Sequence, residues 1–336
     1  MSHKLRVAFC CNTRHVDDEF NIEFEPEETI EHVKNAIEAA GWEYIHIEAN
    51  ETCYYELKKT RPDLVFNRAE GIRGESRESQ IPAFCEMLGI PYVGSGIMAN
   101  AIGLDKPTTK MILEYHGLKT APFDVLSKPD DPLKKGMTYP LILKPSHEGS
   151  SIGINWDNVV NNEEELRPKL VEMLETYQQP ILVEKFIDGR EFSVGLVGNF
   201  LGDEVPTVLP ILEVDFTGFP EELGRVLGQK AKSIFDDSSN YKCPAKIDDD
   251  LKSRIEKHAL ASFKALNCLD WARVDYRMDK EGELYFLEVN TLPGIDYDVE
   301  RDELSFYPMM WYAKDKNYPD MIREVVIQAA LRYGLI

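Results

Sequence analysis

The chain has 336 residues and carries 59 aspartates and glutamates against 38 lysines and arginines, for a formal net charge of −21. It is long enough for two or three domains whose cores need no disulfide support. An acidic surface would repel a polyphosphate backbone, which argues against nucleic-acid binding. The six cysteines lack the spacing of a zinc site and indicate buried thiols of a reducing compartment.

The N-terminus contains only a short apolar run, VAFCC, directly after Arg6. This run is too short for a signal peptide and far too short to cross a membrane. We therefore interpret it as the first strand of a cytoplasmic protein that has no membrane partner.

The first third of the chain alternates strands and helices. β-Branched and aromatic runs at 5–11, 43–48 and 63–67 predict strands, and a helical segment at 26–40 lies between the first two. This order predicts a parallel sheet with right-handed crossovers. A further helix is predicted at 78–88, and the strand IPYVG follows it. We expect an N-terminal α/β domain over 1–96.

The rest of the chain predicts two mixed α+β lobes, at 97–183 and 184–336. Apolar residues recur at helical spacing in LDKPTTKMILEYHG, and the strands LILK, ILVEKF and FSVGLVG follow close together. The remaining predicted elements are a helix at 163–177, a polar stretch at 216–245, a helix at 248–266, a hairpin at 272–289 and a terminal helix at 318–333.

The predicted hairpin, ARVDYRMDKEGELYFLEVN, carries charged residues at alternate positions. Because side chains alternate between the two faces of a strand, Arg273, Asp275 and Arg277 should share one face of the first strand. Phe286, Glu288 and Asn290 should likewise share one face of the second strand. Two carboxylates and an amide oxygen beside an arginine would suit Mg²⁺ together with substrate phosphates. The alternative is an ordinary amphipathic hairpin with a solvated acidic face and a core of Val274, Tyr276 and Val289.

A lysine ends the apolar strand in LILKPSHEGSSIGI. A lysine is rarely buried without a partner, and a phosphate would supply one for Lys144. The small residues Ser150, Ser151 and Gly153 would let backbone N–H groups approach an anion. This pattern is neither a phosphate-loop nor a dinucleotide-binding signature, and a lysine beside a polar turn is an equally good interpretation of the segment alone.

A third segment, ILVEKFIDGREFSVGLVG, also ends an apolar strand in charged residues. Glu184 and Glu191 flank a predicted turn at Asp188 and Gly189, and the backbone at 185–187 could present an edge to an adenine. Taken alone, the segment fits a structural role better than a nucleotide site.

Six segments in order resemble the ATP-grasp superfamily and, within it, the D-alanine–D-alanine ligase family: LGIPYVGSG, DKPTTK, LILKPSHEGSSIGI, ILVEKFIDGREFSVG, CPAKI and ARVDYRMDKEGELYFLEVNTLPG. The resemblance runs from about Asp63 to Leu331. It implies an ATP-grasp fold of the α/β class, in which an N-terminal parallel-sheet domain precedes two α+β lobes that hold ATP between them.

The resemblance also implies roles for individual residues. ATP would be bound by Lys106, Lys144, Ser150, Glu184, Lys185, Phe186, Ile187 and Glu191. Two Mg²⁺ ions, for which Mn²⁺ could substitute, would be held by Asp275, Glu288 and Asn290. The catalytic group would comprise Arg273 and the backbone of Gly294 at an oxyanion, Ser151 on a closing loop and Lys232 on a capping loop.

The implied reaction joins the carboxylate and amine of two small amino-acid substrates through an acyl phosphate, with release of ADP and phosphate. The alternative within the same fold is a ligase with other substrates, which makes another dipeptide, a conjugate or an ester. A non-catalytic nucleotide-binding protein would not need Arg273, and kinase signatures are absent. The resemblance further implies a homodimer formed through the N-terminal domain.

The departures from the family pattern fall on the amino-acid pockets. The family's serine-x-glutamate-histidine segment is missing from CCNTRHVDDEFNIEFEPEE, Glu70 stands in place of a histidine and Arg77 in place of a glycine. A serine, Ser233, replaces a tyrosine, and IDYDVERDEL is inserted before the next segment. We assign Glu70, Ser305 and Phe306 to the substrate pockets.

The inserted acidic residues permit two interpretations. Together with Glu70, they could select a substrate that carries an extra amine or guanidinium group; alternatively, they form a solvated loop, which is the simpler interpretation. The acidic residues concerned are Asp296, Asp298, Glu300 and Asp302.

Overall fold

The computed structural model describes residues 4–15, 23–234, 238–298 and 303–336. The N-terminal sheet is fully parallel and has the strand order β2-β1-β3-β4, which confirms the predicted parallel sheet. Its strands are β1 (Arg6–Cys11), β2 (Glu43–Glu48), β3 (Leu64–Asn67) and β4 (Tyr92–Val93). Its helices are α1 (Glu27–Ala39), α2 (Cys53–Thr60) and α3 (Gln80–Leu88).

Helix α2 was not predicted from the sequence. Its segment, CYYELKKT, buries only Cys53 and Leu57, which lie one helical turn apart. Two buried positions in eight residues give too weak a helical period to recognise in a sequence. The connection from β2 to β3 nevertheless has to cross the face of the sheet, because the two strands run parallel on either side of β1, and such crossovers usually contain a helix.

The central sheet is antiparallel, with strand order β5-β8-β6-β7. Its elements are β5 (Phe123–Leu126), β6 (Leu141–Pro145), β7 (Val159–Val160), α6 (Glu163–Tyr177) and β8 (Ile181–Lys185). In the β6–β8 register Glu184 lies opposite Ile142 and diagonally next to Lys144. Diagonal neighbours share a face, so the lysine and the glutamate can meet there.

The C-terminal sheet has the order β12-β11-β9-β13-β14, with β10 beside β9. Its strands are β9 (Arg190–Val197), β10 (Thr207–Val208), β11 (Leu212–Val214), β12 (Tyr241–Lys242), β13 (Trp271–Met278) and β14 (Leu284–Asn290). Helix α8 (Asp249–Ala265) covers one face, where Phe263 packs in the core with Val274 and Tyr276. A separate two-stranded ribbon consists of β15 (Tyr297–Asp298) and β16 (Glu303–Leu304).

The remaining helices are α4 (Ile97–Leu104), α5 (Lys106–Tyr115), α7 (Gln229–Ile234), α9 (Phe306–Tyr312) and α10 (Tyr318–Arg332). Short 3-10 helices lie at Arg77–Ser79, Trp156–Asn158, Phe216–Gly218, Glu221–Leu223 and Ser238–Asn240. Helix α5 starts at Asp105, whose Oδ1 accepts a hydrogen bond from the backbone N of Thr108 at 2.9 Å. It packs against β14 and α8 of the C-terminal sheet. In the described ranges, no helix is both long and apolar enough to cross a lipid bilayer.

The β13–β14 hairpin forms with a register that the sequence predicted only in part. Asp275 lies opposite Glu288, as expected, and Val274, Tyr276 and Val289 lie in the core. The expectation that Phe286 shares a face with Glu288 is wrong, because a bulge after Asp275 pairs Tyr276 with Phe286. A bulge inserts one residue and reverses the alternation, which sends Phe286 into the core.

A buried aspartate connects three parts of the fold. Asp270 is fully buried at the end of the loop before β13 and accepts hydrogen bonds from Arg332 Nη2 at 2.6 Å, Asn199 Nδ2 at 2.9 Å and the backbone N of Gly94 at 2.8 Å. These donors belong to helix α10, the loop after β9 and the end of β4. The carboxylate therefore attaches the terminal helix and the N-terminal sheet to the C-terminal sheet.

We expect Asp270→Ala to lower the free energy of unfolding by about 3 kcal/mol, because Arg332 would be left largely buried without its anion. Urea denaturation followed by tryptophan fluorescence would measure the change. A matched control is Glu283→Ala, which removes an exposed ion pair with Lys119 of 3.1 Å and should cost less than about 1 kcal/mol. Equal losses in the two variants would contradict a structural role for Asp270.

Candidate functional site

A cleft lies between the central sheet and the β13–β14 hairpin and encloses about 610 Å³ of space, part of it open to solvent. The residues with predicted roles that line it are Lys144, Ser151, Glu184, Lys185, Phe186, Ile187, Glu191, Asp275 and Glu288. They come from β6, β8, β9, β13 and β14 and from the loops after β6 and β8. The structure thus brings the three segments singled out in the sequence to one place.

Glu184 is bound by two lysines at the inner side of this cleft. Its Oε1 lies 2.6 Å from Lys144 Nζ and its Oε2 lies 2.6 Å from Lys110 Nζ. Burial alone would raise the pKa of Glu184, but the two ammonium groups hold it at about 2. The carboxylate therefore supplies the partner that the burial of Lys144 requires, a role that the sequence analysis had given to a phosphate.

The segment after β8 is held by an arginine to which the sequence analysis gave no role. The Nε of Arg277 lies 2.9 Å from Glu191 Oε2, and its guanidinium carbon lies 5.5 Å from the centre of the Phe186 ring. The Nζ of Lys185 donates to the carbonyl of Tyr139 at 2.7 Å. The backbone N–H groups of Lys185 and Phe186 donate to the carbonyls of Pro122 and Pro140, and the side chains of Phe186 and Ile187 line the cleft.

The predicted metal ligands meet across the hairpin. Asn290 Nδ2 lies 3.3 Å from Asp275 Oδ2, and Arg273 Nη2 donates to the same oxygen at 2.9 Å. Within the described part of the chain, no group of three or more histidine, cysteine, aspartate or glutamate side chains is placed to hold a metal ion. Asp275 and Glu288 with the amide oxygen of Asn290 fit Mg²⁺ that arrives with a nucleotide, because phosphates then complete the ligand set.

Cations surround Glu288 at this end of the cleft. Its two oxygens lie 3.9 Å from Arg273 Nη2 and 4.0 Å from Lys106 Nζ. Burial would raise the pKa of Glu288, but the charges of Lys106, Arg273 and Lys232 lower it. A positive site thus exists inside a protein whose net charge is −21.

The loop after β6 contacts the segment that leads to Lys232. Ser150 and Ser151 both adopt positive φ angles, of 45° and 62°, and Ser151 Oγ donates to the carbonyl of Leu227 at 3.1 Å. A Cβ at Gly228 would lie only 2.2 Å from the carbonyl oxygen of Ile154, so this approach requires glycine. The predicted closing loop and the predicted capping segment therefore lie against each other.

The predicted substrate residues fall into two groups. Gly294, Ser305 and Phe306 lie together near Arg273: a Cβ on Gly294 would be 2.7 Å from Ser305 Oγ, and the Phe306 ring centre lies 5.4 Å from the Arg273 guanidinium carbon. Glu70 lies on the N-terminal domain, where its Oε1 accepts from Arg68 Nη1 at 2.9 Å. The side chains of Ser233 and Asp298, and all of Glu300 and Asp302, lie outside the described residues.

Buried carboxylates cluster around Glu70. Glu25 Oε1 lies 2.6 Å from Arg68 Nη2, and burial raises the pKa of Glu25 and of Glu78 to about 7. Burial also raises the pKa of Glu70. Glu70 and Glu78 are close to Arg68 along the chain, but the sequence carried no signal that Glu25, more than forty residues earlier, joins them.

A family model described as the D-ala D-ala ligase C-terminus matches residues 112–327. A D-alanine–D-alanine ligase from Pelotomaculum thermopropionicum is 33% identical over 318 residues, which cover 91% of this chain and 92% of the relative. The chain belongs to the D-alanine–D-alanine ligase family. The protein y4sG of Sinorhizobium fredii, described as uncharacterized, is 31% identical over 89% of this chain and 86% of its own.

A crystal structure of a D-alanine–D-alanine ligase from Bacillus anthracis complexed with ATP supports the fold. Its TM-score is 0.73, its sequence is 24% identical, and the match covers 98% of each chain. The predicted membership of the D-alanine–D-alanine ligase family, the predicted fold and the predicted class of ATP-dependent ligase are confirmed.

The raised pKa of Glu25 predicts a pH-dependent stability. The folded protein holds a proton on Glu25 that the unfolded chain releases near its ordinary pKa of 4.5. The stability that this proton contributes is complete below pH 4.5 and is lost as the pH rises through 7. We expect the free energy of unfolding to fall between pH 5 and pH 8, and Glu25→Gln to reduce that fall by on the order of 2 kcal/mol.

Urea denaturation at a series of pH values would measure these slopes. Glu43→Gln is the matched control, because Glu43 lies on strand β2 with its side chain 51% exposed. The control should keep the wild-type slope. If Glu25→Gln left the pH dependence of the free energy of unfolding unchanged, the assignment of a raised pKa to Glu25 would be contradicted.

Proposed function

We propose that this protein joins the carboxylate of one small amino acid to the amine of another through an acyl phosphate, with release of ADP and phosphate. The observation that carries the proposal is the cleft itself: Lys144 lines it together with Asp275 and Glu288, and the side-chain nitrogens of Lys106 and Arg273 lie 4.0 and 3.9 Å from the Glu288 carboxylate. A triphosphate needs such cations, and its transfer to a carboxylate needs both reactants held in line.

ATP is proposed to lie with its adenine against the wall formed by Phe186 and Ile187 and its ribose near Glu191. Its phosphates would extend towards Lys144 and Lys106, beneath the loop of Ser150 and Ser151. The two lobes proposed to hold it are residues 97–183 and 184–336, which follow an N-terminal domain at 1–96.

Magnesium is proposed to be bound by Asp275, Glu288 and Asn290 together with the phosphates. When bound, it would neutralise phosphate charge and keep the reacting phosphoryl group in line. Arg273 and the backbone N–H at Gly294 would then donate to the oxyanion that forms when the amine attacks the acyl phosphate. Lys232 would close the site from its capping segment.

The substrates are proposed to be D-alanine on the basis of relatives that carry the name D-alanine–D-alanine ligase. A second candidate is a ligase for which one substrate bears an additional positive charge. One observation favours it: Ser305, assigned to the substrate pockets, donates its hydroxyl to Asp296 at 3.1 Å. An aspartate at that distance would repel a carboxylate and attract an ammonium group. The homodimer implied by the family resemblance and the cytoplasmic location predicted from the N-terminal sequence and the cysteines are also proposals.

The function is tested by Mg²⁺-dependent release of phosphate from ATP, measured across D- and L-amino acids singly and in pairs, with mass spectrometry of the products. We expect Asp275→Asn to lower turnover at least roughly a hundredfold, because Mg²⁺ would lose a carboxylate ligand and the phosphate charge would be less well neutralised. Asp250→Asn, which changes an exposed acid in the first turn of α8, is the control and should keep full activity. Phosphate release without a joined product would count against the ligase.

The choice between substrates is tested by Glu70→Ala on the same panel. If Glu70 helps to select a cationic substrate, the variant should lose preference for that substrate by roughly tenfold relative to D-alanine, since one close charge pair is removed. An unchanged preference would rule out a selective role for Glu70. Arg73→Ala, which removes an exposed residue of the same loop, serves as the control.

A further inference from the structure

Lys110 is a third lysine near the cleft, in addition to Lys106 and Lys144. It lies one helical turn after Lys106 on α5, so both side chains extend from the same face of the helix. Lys110 is fully buried, and after Glu184 its nearest polar contact is the carbonyl of Phe286 at 3.5 Å. Unlike Lys144, Lys110 does not line the cleft. It reaches Glu184 from behind the cleft wall.

One lysine would be enough to pair with Glu184. Burying a second ammonium group carries a desolvation cost, and burial lowers the pKa of Lys110. The arrangement of two lysines around one carboxylate leaves a net charge of +1 at the inner end of the cleft. Without Lys110, Glu184 would neutralise Lys144 completely, and the net charge there would be zero.

We propose that Lys110 is a positioning residue that neutralises and holds Glu184, so that the charge of Lys144 remains available to the phosphates of the nucleotide. The proposal rests on the proposed function in that the cleft must bind ATP. It concerns nucleotide affinity and not bond formation.

The geometry supports an action through Glu184 and not through ATP itself. Glu184 is almost fully buried, and each of its oxygens is 2.6 Å from one lysine. Lys110 comes from a helix that packs against the C-terminal sheet, whereas Glu184 and Lys144 belong to the central sheet. The contact therefore also fixes the position of Glu184 relative to the opposite wall of the cleft.

The test is isothermal titration calorimetry of the purified full chain with MgATP in the absence of amino acids. Lys110→Met should weaken binding by roughly tenfold or more, within the range of coupling measured between adjacent charged groups. The double variant Lys110→Met with Glu184→Gln restores the net charge to +1. It should bind MgATP more tightly than Lys110→Met alone, which a purely structural role for Lys110 would not produce.

A second comparison does not depend on whether Lys110→Met folds. Once Glu184→Gln has removed the anion, loss of Lys110 should change MgATP affinity by less than about threefold, because no charge is left for it to neutralise. A tenfold loss in that background, or wild-type affinity in a folded Lys110→Met protein, would overturn the proposal. Lys119→Met, which removes an exposed lysine paired with Glu283, is the control and should bind as the wild type does.

The outcomes separate this proposal from the proposed function. Wild-type protein that binds MgATP but joins no pair of substrates would count against the ligase and leave the role of Lys110 open to the comparison above. If the wild type joins its substrates normally and Lys110→Met does not change the affinity for MgATP, only the role proposed for Lys110 would be overturned. A wild-type protein that does not bind MgATP would overturn both.

Discussion

The cleft depends on the buried contact of Glu184 with Lys110 and Lys144. Glu184 and Lys144 lie on neighbouring strands of the central sheet, while Lys110 lies on a helix packed against the C-terminal sheet. The carboxylate thus connects the two walls between which a nucleotide would bind. Buried charges tolerate little displacement, because an unpaired charge in the interior is costly, and the contact therefore holds the walls at a defined separation.

Charge is distributed unevenly over this acidic protein. The charges of Lys106, Lys232 and Arg273 act on Glu288 at the hairpin end of the cleft, whereas buried glutamates cluster around Arg68 beside the N-terminal sheet. Solvent and salt screen exposed surface charges beyond about 8–10 Å, whereas charges in a low-dielectric interior interact strongly, so a positive site can persist despite a net charge of −21. The two regions would suit different parts of a reaction: triphosphate at one and amino groups at the other.

Much of the fold was predictable because its elements are strongly patterned. The helix at Glu163–Tyr177 was predicted with the observed bounds, and the parallel N-terminal sheet followed from alternating strands and helices. Helix α2 was missed because only two of its residues are buried. The position of Phe286 was wrong because a bulge reverses the strand alternation, and a single inserted residue leaves no signature in composition.

The sequence by itself determined the family, the fold class and the hairpin that carries Asp275 and Glu288, because motif order and two-residue alternation are local properties of a chain. Only the tertiary structure decided that Glu184 is shared by Lys110 and Lys144, and that Glu25 and Glu70 share Arg68. Apart from Arg68 and Glu70, which lie two residues apart in one loop, these partners are separated by tens of residues. Pairing of buried charges is set by distance and desolvation in the folded interior, which no local pattern records.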